Sequence, residues 1–162
     1  MKKILTLATV SLITVLSAES LVFQDSFNDA SKWFKNGKNG NFKFVDGGKE
    51  GKCLHSVTEN YIFMFNLKKN LPMKQGRNVK ISLAVKGKGS VSLNPMGRGE
   101  PHGTAYLTGK SFKVDSNKWQ TIEHTFTFAD KKVDIKNLAL RINIDKNSSV
   151  MIDDLKITVS DK

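Results

Sequence analysis

Apolar residues in this chain recur at every second position, and no long window shows the three-and-four spacing of a helix face. Val79, Ile81, Leu83 and Val85 alternate with Lys80, Ser82, Ala84 and Lys86. Ile122, Phe126 and Phe128 alternate with Glu123, Thr125 and Thr127, and Leu138, Leu140, Ile142 and Ile144 with Ala139, Arg141, Asn143 and Asp145. Successive side chains of a strand point to opposite faces, so each of these segments has one face for a core and one for solvent. The same periodicity predicts strands over 21–27, 42–45, 52–57, 61–67, 78–86, 90–94, 104–107, 111–114, 119–128, 137–145 and 150–159. Turn signals lie between them at Asp46-Gly47-Gly48, Lys86-Gly87-Lys88-Gly89, Gly97 to Gly103 and Asp115-Ser116-Asn117. Many one-sided strands with frequent turns predict an all-β fold: an antiparallel two-sheet β-sandwich of jelly-roll type, filling one domain over residues 21–162.

The last strand contains a break in phase. Val150 and Ile152 belong to one phase and Leu155, Ile157 and Val159 to the other, with Asp153-Asp154 between them. One extra residue opposite a partner strand is a bulge, and two carboxylates there offer hard oxygen ligands to a cation. The candidate partner is the 21–27 segment, whose pairing with the last strand would close the domain on itself.

Residues 1–20 read differently. Lys2 and Lys3 precede a 13-residue apolar run from Ile4 to Leu16, and small residues follow. This is the pattern of a secretory signal peptide, with cleavage after Ala18 or after Ser20. The run is too short to cross a bilayer, so a secreted or periplasmic location without stable membrane insertion is expected. The lone Cys53 cannot form an intrachain disulfide and reads as a small buried hydrophobe.

The formal charge is +11; removing residues 1–20 takes away two Lys and one Glu and leaves 24 − 14 = +10. Such a surface favours polyanions, acidic polysaccharides among them. An exported protein seldom meets nucleic acid, and no nucleic-acid partner is expected. No nucleophile elbow or His-Glu-x-x-His motif occurs, and His55, His102 and His124 share no ligand spacing, so no catalytic residue is assigned and an enzyme is not expected.

Several stretches, read in order, resemble secreted carbohydrate-binding modules with a galactose-binding-like jelly roll, the group that includes xylan- and glucan-binding modules. They are Asp25-Ser26-Phe27-Asn28 with Trp33; the loop Val45 to Leu54; the strand Val79 to Lys86; Lys118-Trp119-Gln120 opening a long strand; and Val150 to Leu155. The resemblance implies binding of a polysaccharide or oligosaccharide without catalysis, and a structural calcium (Ca2+) with Asp153 as a side-chain ligand, Asp25 and its neighbour Gln24 contributing, and carbonyls from the 47–51 loop. It treats Trp33 and Trp119 as core anchors. On such modules an aromatic ring stacks on a pyranose while polar groups bond its hydroxyls. The candidate ligand-binding set is therefore Tyr61, Asn94, Arg98, Glu100, His102, Tyr106, Glu123, Arg141 and Asn143. The same fold would also serve an envelope protein-interaction module or, with a carboxylate pair in a cleft, a small glycan hydrolase or lyase.

Overall fold

One strand passes through both layers of the fold. In the computed structural model, which describes residues 19–36, 41–59, 62–99 and 103–161, Asn78–Gly99 (β7) runs unbroken for 22 residues. Before it lie Ser20–Asp25 (β1), a short 3-10 turn at Ala30–Lys32, Trp33–Asn36 (β2), Asn41–Asp46 (β3), Lys52–Thr58 (β4), Phe63–Leu67 (β5) and Leu71–Pro72 (β6). After it come Gly103–Tyr106 (β8), Lys110–Thr127 (β9), Ile135–Ile144 (β10) and Ser148–Ser160 (β11). All the strand pairs among the described residues are antiparallel.

The first half of β7 pairs with β11, from Asn78↔Ser160 to Lys88↔Ser149, and with the second half of β9. Its second half pairs with β10, from Val91↔Ile144 to Gly99↔Ile135, and with β8 and the first half of β9. The first sheet is thus built around β9, β7, β11, β4 and β3, with β1 beside β11. The second runs β2-β5-β10-β7, with β8 and β9 beyond. Inward side chains of both, including Ile81, Leu83, Ile152 and Ile157 from one and Phe65, Leu93, Leu140 and Ile142 from the other, form one buried cluster. This is the expected jelly-roll sandwich, with its two sheets continuous through β7 and β9.

Two expected turns are strand instead. Lys86 to Gly89 lies inside β7, and Asp115 to Asn117 lies inside β9. Gly87 has φ +119, and a Cβ there would lie 2.2 Å from the Ser149 carbonyl oxygen. The glycines therefore let β7 bend against β11 as it passes from one sheet to the other; they do not reverse the chain. β2 was not expected as a strand at all; it is four residues long and held at the edge by β5.

The two ends do pair, with Asp25 opposite Leu155 and Ser20 opposite Val159. The phase break is a bulge: the register shifts between Asp153 and Lys156, and Asp154 has φ +46. Trp33 is buried and stacks on Phe27 at 5.3 Å between centroids. Trp119 is not in the core. It lies half-buried on the outer side, with the Lys86 ammonium 4.5 Å from its ring centroid. No described helix is long and apolar enough to cross a membrane.

Candidate functional site

Strand phase decides which side chains the second sheet turns away from the core. Leu140, Ile142, Leu93, Phe65 and Leu67 point inward, so Arg141, Asn143, Asn94, Ser92, Asn66 and Met64 point outward. Register then lines them up. One row crosses four strands as Phe34↔Asn66, Asn66↔Arg141 and Arg141↔Asn94. A second runs Met64, Asn143, Ser92 and Ser111, and a third Ala139, Met96 and Tyr106. At about 4.8 Å per strand, the distance from β2 to β8 is about 19 Å. That is the length of a short oligosaccharide.

The ends of this face are aromatic and its middle is polar. Phe34 is 46% exposed and Tyr106 78% exposed. Between them Arg141 Nε donates to Asn66 Oδ1 at 3.0 Å, Asn94 Nδ2 donates to the Ser92 carbonyl at 3.3 Å, and the Ser92 and Ser111 hydroxyls are 2.7 Å apart. Arg98 donates to the Thr104 hydroxyl one row further along. Two buried amide atoms on this face, Asn66 Nδ2 and Asn143 Oδ1, have no hydrogen-bond partner among the described residues. An unsatisfied buried polar atom costs about 1–3 kcal/mol, so the amide network beneath this face is not fully satisfied by the described residues.

Of the residues anticipated from sequence, Asn94, Arg98, Tyr106, Arg141 and Asn143 therefore share one face. Glu123 is on the other sheet, opposite Ser82. Tyr61, Glu100 and His102 lie outside the described residues. Phe34, Asn66 and Met64 were not anticipated. Asn66 and Met64 were readable from the alternation with Phe65 and Leu67, whereas Phe34 needed β2. His124 is buried with Nε2 2.6 Å from the Thr108 carbonyl, and stacks on Phe126, as a structural histidine does. Burial, reinforced by the Asp153 charge, raises the Cys53 thiol above its usual range, which makes it a poor nucleophile. A cavity of about 630 Å³ opens elsewhere, over Val22, Met73, Ile135 and Val159, and shares no residue with the polar rows.

The residues expected to hold calcium do not form one ligand set. Asp25 is buried, and its oxygens accept from Phe27 N–H at 3.2 Å, Lys32 Nζ at 3.0 Å and Trp33 Nε1 at 2.5 Å. Asp153 accepts from the backbone N–H groups of Lys49 at 2.6 Å and Asp154 at 2.7 Å. Asp154 is paired with Lys49 at 3.1 Å and Lys156 at 3.0 Å, and the Gly47 carbonyl accepts from Lys86 at 3.2 Å. Calcium needs six to eight oxygens. Here four ammonium groups, those of Lys32, Lys49, Lys86 and Lys156, occupy oxygens that would supply them, and these residues do not fit a resident dication. Among the described residues no three His, Cys, Asp or Glu cluster as metal ligands.

The comparisons with known proteins agree with this architecture. A family model described as "Carbohydrate binding domain" matches residues 19–149. Among curated proteins no sequence matches. Solved structures of like fold include the Clostridium thermocellum endo-1,4-β-D-xylanase 10B modules CBM22-1-GH10 complexed with xylohexaose, at 19% identity and TM-score 0.65, over 85% of this chain and 28% of that one. The CBM22-2 xylan-binding domain of Paenibacillus barcinonensis Xyn10C matches at 13% identity and TM-score 0.63, over 86% of this chain and 99% of that one. The family 11 carbohydrate-binding module of C. thermocellum, in complex with a β-1,3-1,4-mixed-linked tetrasaccharide, matches at 18% identity and TM-score 0.59, over 86% and 94%.

Proposed function

The chain belongs to the carbohydrate-binding domain family, and from that premise we propose that it is a secreted or periplasmic, non-catalytic protein that holds a polysaccharide along the outward face of its second sheet. The row Phe34-Asn66-Arg141-Asn94 is the observation that supports this most directly. Amides and a guanidinium bond hydroxyls, and the flanking exposed rings offer apolar area to pyranose faces. Modules of like fold bind xylan or a mixed-linked glucan, which makes these the first ligands to try. The formal charge of +11 extends the range to acidic polysaccharides, whose negative charge it attracts.

Gel electrophoresis through soluble xylan, mixed-linked glucan and acidic polysaccharides, backed by calorimetry, tests the reading. At least one polymer should retard the protein. Phe34→Ala and Tyr106→Ala should each weaken that binding about tenfold, the equivalent of one stacked ring, with little change in melting temperature because both side chains are exposed. Retardation by none of the polymers rejects polysaccharide binding. Unchanged affinity in both variants rejects this face.

A further inference from the structure

Resting on that reading of the face, we propose that Arg141 is a carboxylate-reading position and that the preferred ligand is a polysaccharide bearing uronic acids. The guanidinium is held in place from one side. Asn66 is only 5% exposed, and its Oδ1 accepts from Arg141 Nε at 3.0 Å. That bond fixes the plane of the guanidinium and leaves its two terminal amino groups as a parallel pair of donors. Arg141 is half-buried and makes no ion pair among the described residues. A half-buried cation without a counter-charge is unfavourable.

Among the described residues no carboxylate stands in the rows beside it, and Asp145, in the same phase just past the end of the same strand, is four residues along. Its strand neighbours in register are Asn66 and Asn94, and the adjoining rows carry Met64, Asn143, Ser92, Ala139 and Met96. Glu123, Asp153 and Asp154 belong to the first sheet. A neutral sugar hydroxyl satisfies one N–H at a time. A planar carboxylate accepts both terminal N–H groups in parallel and also supplies the missing charge.

The test compares one polymer in two charge states: polygalacturonate and the same polymer after its carboxyl groups have been reduced to primary alcohols, which leaves the chain and its linkages unchanged. Binding is measured by calorimetry at fixed salt. Wild type should prefer the uronate form about tenfold or more. Arg141→Gln should remove that preference. Asn66→Asp, nearly isosteric, gives the guanidinium an internal carboxylate and should remove that preference too. Arg141→Lys keeps the charge without the fork and should retain only part of the preference. Lys52→Gln, which removes one positive charge from an exposed position on the first sheet, should leave it intact. Equal binding of the two polymers by wild type, or a preference that survives both Arg141→Gln and Asn66→Asp, overturns the assignment to Arg141 and leaves glycan binding standing. Failure of wild type to bind either polymer, xylan or glucan overturns both.

Discussion

Two aspartates near the closed ends of the chain show how far surroundings decide what a carboxylate does. Asp25 is fully enclosed and fixes Trp33 and Lys32, so it organises the aromatic corner of Phe27, Trp33 and Phe65. Asp154 sits at the bulge with positive φ and accepts two ammonium groups. Burial pulls its pKa upward, but hydrogen bonds from Lys156 and Lys49 and their charges outweigh that and hold it below its ordinary 3.8. A carboxyl with a depressed folded pKa adds stability above its unfolded pKa and loses it as pH falls through the folded value. Asp154→Asn removes the charge and keeps a residue that tolerates the left-handed backbone. The variant should therefore melt slightly below wild type at pH 6, and the gap should close as the pH is taken below 4. Thermal melts of both proteins across that range check it; a gap that stays constant excludes the ionic contribution.

At the scale of elements, the alternation made most of the strands readable because each is buried on one side only. What it could not reveal was continuity. Lys86-Gly87-Lys88-Gly89 has the composition of a turn, yet Gly87 lies mid-strand because β7 must press against Ser149 while it changes sheets. Composition records that glycine is needed without saying whether the reason is reversal or close approach. The two can be separated by mutation. Gly76 also has positive φ, +88, but a Cβ there meets nothing within 4 Å. Gly76→Ala should cost only the backbone term, about 1–2 kcal/mol. Gly87→Ala adds a collision with a carbonyl that has nowhere to move, and should cost at least about 2 kcal/mol more. Chemical denaturation of the two variants measures the difference, and equal losses would show that β7 does not need the close approach.

For the whole molecule, the outward face was partly legible. Asn94, Arg141 and Asn143 could be placed by phase alone, while the edge that completes their row depends on register between strands far apart in sequence, which no local pattern carries. The closure of the domain has the same character. The phase flip located the bulge, which the register places opposite β7, but not its occupants, which come from Lys49 in the 47–51 loop and from Lys156 of β11 itself. They are ammonium groups, and they supply the positive charge that a calcium ion would have supplied. A resident calcium site at a hundred times its Kd would add about 2.7 kcal/mol, worth several degrees in melting temperature for a domain of this size. Wild type should accordingly melt at the same temperature in chelator and in millimolar calcium. Replacing both Lys49 and Lys156 with Gln uncovers Asp154 beside Asp153 and leaves the two carboxylates uncompensated, so that variant should be less stable and should regain part of the loss when calcium is added. A calcium-dependent rise in wild type would mean that the lysines yield to the ion, and that the ends of the chain are closed by a metal after all.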